Sequence, residues 1–179
     1  MVLLRYFTAA ILGILTLVSC NDKSLQKYLV EKQDDNNFVK MDLATSLLQG
    51  ENSSFTQEQK DILNTIKKVN VVAFPIANGD TATYKLERDE LQTILNQDDY
   101  KELTRFNSNN WNASLKYKGE EDAIDEVVVF ASDDDRGFAV FRLLGDNMRP
   151  DQMLMLVRSA EKGDFDLSKL EGLNTIFKD

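Results

Sequence analysis

Histidine is missing from this chain altogether, and cysteine occurs once, at position 20. The first absence removes the commonest general base, the usual pH switch and the commonest transition-metal ligand. The second leaves no intramolecular disulfide, no Cys-His nucleophile pair and no zinc site of the Cys/His kind. Glycine is too scattered to cradle a phosphate, since Gly137 and Gly145 each stand alone. Positive charge is also short. Lysine and arginine total 21 against 30 acidic residues, a net charge of −9. Nucleic acid demands basic patches, so no nucleic-acid partner is expected, and an acidic body does not lie flat on anionic lipid. The plain meaning of such a charge is solubility.

What is present begins with an apolar start. Arg5 is the one charge in residues 1–19, and Tyr6 to Val18 is apolar apart from Thr8 and Thr16. A short basic start and an apolar run form the layout of a secretory signal. Crossing a bilayer as a helix takes about 20 apolar residues, more than this run offers unless Arg5 lies inside the span. The run ends in Leu17-Val18-Ser19-Cys20, which resembles the lipobox of bacterial lipoproteins. The resemblance implies cleavage between Ser19 and Cys20, a diacylglyceryl group on the Cys20 thiol and acylation of the new amine. Each buried methylene adds about 0.8 kcal/mol, so two or more chains hold where one does not. The plainer alternative is a chance cysteine in an ordinary signal or anchor helix. Losing Arg5 takes the net charge from −9 to −10. Asn21-Asp22-Lys23-Ser24 leaves inner membrane, outer membrane and cell surface all open. The expected organisation is a signal over 1–19, a lipidated cysteine with a short helical tether over 20–37, and one α+β domain over 38–179.

Periodicity supplies the elements. Leu25, Tyr28 and Leu29 mark one side of a short helix. Val39, Met41 and Leu43 alternate with Lys40 and Asp42 as a strand. Thr56 and Gln59 form a capping-box pair, and Ile62, Leu63, Ile66 and Val69 then follow helical spacing. Val69 to Ile76 reads as a buried strand that Pro75 ends. A helix over 82–97 carries Tyr84, Leu91, Ile94 and Leu95 as its stripe, with Leu86 off it. Lys101 to Phe106 is a strand. Trp111, Ala113, Leu115 and Tyr117 alternate cleanly as another. Val127 to Ala131 and Phe138 to Leu144 form a hairpin around an Asp-rich loop that ends in Gly137. Pro150 opens a helix with Met153, Leu156, Val157 and Ala160 on one face, and Gly163 caps it. Leu167, Leu170 and Leu173 suggest a last short helix. The pattern predicts an α+β fold: an antiparallel sheet of five or six strands, a C-terminal meander, and helices mainly on one face.

Ile66-Lys67-Lys68-Val69, Tyr100-Lys101-Glu102-Leu103, Ile124-Asp125-Glu126-Val127-Val128-Val129 and Phe141-Arg142-Leu143-Leu144-Gly145-Asp146 carry a family likeness. Together with the lipobox they resemble the domain-of-unknown-function 4252 family of small Bacteroidetes lipoproteins. The resemblance covers nearly all of the mature chain. It implies an envelope lipoprotein with no assigned activity, and suggests a link to extracytoplasmic-function sigma factors. It brings no functional residues to carry over.

Few residues offer chemistry. Asp133, Asp134 and Asp135 suggest calcium, but an EF-hand loop starting at Asp133 would need Gly at Phe138 and Glu at Leu144. A solvated hairpin tip is the simpler reading. Glu120, Glu121, Asp122, Asp125 and Glu126 form a second acidic run, which does glycosidase work only inside a cleft. Trp111 among asparagines either stacks on a sugar or grips a partner, or else anchors a core or sheet edge, and Tyr117 on the same face favours the core. Met148, Met153 and Met155 suggest an adaptable surface, with Met155 off the packed face. Ser24-Leu25-Gln26-Lys27 matches a Ser-x-x-Lys spacing, though in the tether. No catalytic, metal or cofactor residue is assigned. The sequence reads as a non-enzymatic module, lipid-anchored through Cys20 in the cell envelope, that binds an envelope partner. A hydrolase using carboxylates alone and a periplasmic signalling partner are the alternatives.

Overall fold

The computed structural model describes residues 23–44, 55–76, 80–107 and 111–161. In chain order the elements are α1 (Leu25–Glu31), β1 (Val39–Ala44), α2 (Gln57–Leu63), β2 (Ile66–Pro75) and α3 (Thr81–Leu95). Then come β3 (Lys101–Asn107), β4 (Trp111–Glu120), β5 (Ala123–Asp133), β6 (Gly137–Met148) and α4 (Pro150–Glu161). The strands form one antiparallel six-stranded sheet in the order β1-β2-β6-β5-β4-β3. The α+β class and the late meander are as expected.

Helix starts follow side-chain capping. Ser24 accepts from the Lys27 N–H at 3.2 Å. Thr56 and Gln59 form the full reciprocal box at the start of α2. Asp80 accepts from the Thr83 N–H at 2.5 Å to open α3. Each cap satisfies a backbone donor that the helix leaves orphaned. The tyrosine and leucine stripe of α3 is buried as its spacing demands, while Leu86 is 73% exposed. Strands β5 and β6 run longer than the expected 127–131 and 138–144, and one further boundary changes the kind of element. Helix α2 stops at Leu63, and Ile66 and Val69 belong to β2. The spacing from Ile62 to Val69 fits both periods, and the β-branched run that follows pulls Ile66 into the strand.

The larger difference is that helices cover both faces of the sheet. Val69, Val71 and Ala73 of β2, with Val127 and Ala139, pack under Ile62, Leu63, Met153 and Leu156 of α2 and α4. Val72 and Phe74, with Val128, Phe130, Phe138 and Val140, pack under α1 and α3 through Tyr28, Tyr84, Leu91 and Ile94. Residues Val71 to Pro75 are buried without a break. A strand that is apolar on both sides must be covered on both sides. An aromatic group closes the second layer, with Phe74 stacked on Phe138 at 5.7 Å and Phe38 edge-on to Phe74 at 5.1 Å. No helix among the described residues is long and apolar enough to cross a membrane. Predictions over 45–54, 77–79, 108–110 and 162–179 lie outside the described residues, including Gly163 and the leucines after it.

Helix α1 is part of this body. Leu25 and Tyr28 are buried, and the Tyr28 hydroxyl donates to Glu87 of α3 at 2.8 Å. Lys32 pairs with the same carboxylate. Beneath the helix, Arg142 of β6 donates to Glu126 of β5 at 2.8 Å and to Gln26 of α1. Tyr100 donates to the other Glu126 oxygen at 2.7 Å. Both Glu126 and Arg142 are buried.

Two predictions follow from this packing. Removing one member of a buried ion pair strands the other, at a cost of about 3–5 kcal/mol. Glu126→Ala should therefore lower unfolding free energy by about that amount in urea titrations. An unchanged midpoint would mean that the pair does not hold the layers. At Gly137 the backbone sits at φ +129°, and an added Cβ would lie 2.0 Å from the Phe74 carbonyl oxygen. Gly137→Ala should cost more than about 1–3 kcal/mol, read as a drop in Tm.

Candidate functional site

Helix α3 packs over β2, β5 and β6, and among the described residues it is the one helix bordering the β3–β4 side of the same face. A groove of about 290 Å³ runs along that border. Its wall is the polar side of α3, with Arg88, Gln92 and Asn96, and its floor is Arg105, Asn107, Asn112, Ser114, Lys116 and Ser132. Phe130 and Leu95 line its inner side, where the aromatic core ends.

Strand pairing builds the floor. Asn107 stands opposite Asn112, and Arg105 opposite Ser114, with Glu102 opposite Lys116. Asn112, Ser114 and Lys116 in turn face Ser132, Phe130 and Val128. Residues directly opposed across a ladder share a face, so three strands contribute to one polar surface.

Lys116 is the most unusual group in it. Its side chain is buried, yet the ammonium donates to two neutral oxygens, Leu95 O at 2.7 Å and Asn96 Oδ1 at 2.8 Å. These acceptors sit at the C-terminal end of α3, where the helix dipole favours a cation. Burial pulls the Lys116 pKa below its usual value; Glu102 opposes this and Arg105 adds to it. The other cations are already matched. Arg105 pairs with Glu102 at 2.6 Å, and Arg88 with Asp134 at 2.7 Å. Asp134 also accepts from the Tyr84 hydroxyl at 3.1 Å. Burial, with help from Asp134, pushes the Tyr84 phenol up to about 12, so it remains a donor. The groove therefore presents neutral amides and hydroxyls around one ammonium with no anionic partner among the described residues.

The residues singled out from sequence lie elsewhere or serve the fold. Ser19 and Cys20 are outside the described residues. Ser24 caps α1 instead of pairing with the Lys27 side chain. Asp133 accepts from the backbone N–H groups of Asp135 and Arg136 at 2.8 and 3.0 Å, a tight hairpin turn. Among the described residues, no group of three acidic, histidine or cysteine side chains is placed to hold a metal ion. Glu120, Glu121, Asp122 and Asp125 are exposed, and Glu126 is held by Arg142. Trp111 is 41% exposed and so does not anchor the core. It stands at the first position of β4, beyond the cover of α2 and α4, whereas Leu115 and Tyr117 on its face are buried. Met148 and Met153 are buried, and Met155 packs against the first core layer. The methionines form no open surface.

The groove was not foreseen. Asn112, Ser114 and Lys116 read as the wet side of a half-buried strand, which is what alternation implies when coverage is unknown. The missing fact was where α3 crosses.

The architecture places the molecule among three-layer α+β domains with an antiparallel sheet and a polar recess on one face. Residues 28–156 match the family model described as Domain of unknown function (DUF4252), and the chain belongs to that family. No curated protein and no solved structure matches it.

The Lys116 environment has a measurable consequence. A lysine with a depressed folded pKa binds fewer protons when folded than when unfolded, so stability rises with pH through that window. The rise should run from the depressed folded pKa toward the ordinary 10.5. Tyrosine ionisation above about 10 opposes it, because buried phenols resist ionising. Urea midpoints of the wild type should climb more steeply as pH rises toward 10.5 than those of Lys116→Met. Parallel curves would show that Lys116 is not desolvated.

Proposed function

We propose that this is an envelope lipoprotein whose α+β body is a binding module held at a membrane surface by acyl chains on Cys20. The observation that carries it is Leu17-Val18-Ser19-Cys20 at the end of an apolar leader in a chain with no other cysteine. The family likeness supports the same reading, as a small lipoprotein of the Bacteroidetes type. Two acyl chains provide the hydrophobic area that stable anchoring takes. The module's business surface is the groove beside α3, because it gathers hydrogen-bonding groups and an unpaired ammonium in one recess.

A hydrolase working through carboxylates is less well supported. Such an enzyme needs two acids facing one cleft. The groove is lined by a single carboxylate, Asp134, which already accepts from Arg88 and Tyr84.

The address is tested by expressing the full chain and its Cys20→Ala form in the native host. Wild type should partition into the detergent phase of a Triton X-114 extract, with an intact mass showing loss of residues 1–19 and gain of lipid. Cys20→Ala should keep its leader and carry no lipid adduct. A wild-type mass with neither change removes the anchor, and with it the envelope assignment.

A further inference from the structure

The groove is asymmetric in its chemistry. An ammonium carries three N–H donors, and protein oxygens take two of those on Lys116. No carboxylate among the described residues pairs with it, whereas the neighbouring arginines have Asp134 and Glu102. A buried cation without an anion is costly unless something supplies one. Apart from Arg88, Arg105 and Asp134, which are engaged in ion pairs, the polar lining is neutral: Gln92, Asn96, Asn107, Asn112, Ser114 and Ser132. Amides and hydroxyls both donate and accept, which is the chemistry that sugar hydroxyls require. A compact single ammonium suits a single carboxylate. Phosphate is better served by arginine forks, and both forks here are engaged by protein acids. At about 290 Å³ the recess stands at the small end of ligand pockets, which run from roughly 300 Å³ upward.

Resting on the reading of this domain as a binding module, we propose that the groove takes an acidic sugar, with its carboxylate on Lys116 Nζ and its hydroxyls across the asparagine and serine floor. Asn112 and Ser114 contact the ring from β4, and Asn96 and Gln92 close over it from α3. Arg105 and Arg88 frame the two ends.

Isothermal titration of the full chain, in a polyoxyethylene detergent that carries no sugar, tests this with D-glucuronate, glucose and inorganic phosphate. Glucuronate should bind at least about tenfold more tightly than either of the others. Lys116→Met should lower glucuronate affinity about tenfold or more. If that variant does not fold by circular dichroism, Asn112→Asp decides, since it sets a repelling carboxylate at an exposed floor position. Its affinity should fall about fivefold with an unchanged melting curve. Glucose binding as well as glucuronate, phosphate binding more tightly, no heat from any of the three, or variants that bind like wild type would each overturn the proposal. Crosslinked pull-down from membranes reads the broader function separately. A captured partner alongside silent glucuronate titrations discards the sugar and keeps the module.

Discussion

Strands β2, β6 and β5 carry apolar side chains on both faces, and this demand for two-sided cover shapes everything around them. One helix pair answers it on each side, α2 with α4 and α1 with α3. The outer strands β3 and β4 face no such demand, since alternation gives them a polar side. Helix α3 therefore settles where apolar side chains await it and stops short of the asparagines and serines beyond. The recess is what remains at that border. Recess and core boundary are two descriptions of one line across the sheet.

That line is reinforced by charge. Glu126 and Arg142 sit diagonally on the second face, and Gln26 and Tyr100 complete their hydrogen bonding from α1 and from the turn before β3. Four separate parts of the chain meet at one ion pair in a dry setting. The guanidinium Nε has no acceptor among the described residues. Such an arrangement specifies geometry more than it adds stability, because desolvation offsets much of the attraction. It holds α1 through Gln26, and α1 in turn bonds α3 through Tyr28 and Glu87.

Much of the architecture could be read from residue order. Thr56 and Gln59 announced their capping box, the Tyr84-to-Leu95 stripe announced which side of α3 would be buried, and Gly137 announced the hairpin. Period and capping are local, so a single sequence shows them. Layer assignment is not local. The unbroken burial of Val71 to Pro75 was visible as an apolar run, yet its meaning, cover on both faces, depends on where distant helices land. The same gap hid the candidate site. Lys116 looks like any outward lysine until the end of α3 is placed above it. Trp111 failed in the opposite sense: its alternation with Leu115 and Tyr117 is real, but no helix among the described residues reaches that end of the strand.

The hydrogen bond from Gln97 to the Lys23 carbonyl, 3.2 Å long, ties the turn after α3 to the residue just before the α1 cap. Residue 97 directly follows Asn96, which holds the Lys116 ammonium. Lys23 lies three positions after Cys20, a reach of at most about 11 Å even when fully stretched. With acyl chains on that cysteine, the ammonium end of the recess would stand at headgroup height. Under that anchoring, the entrance to the recess would lie close to the surface that holds the chain.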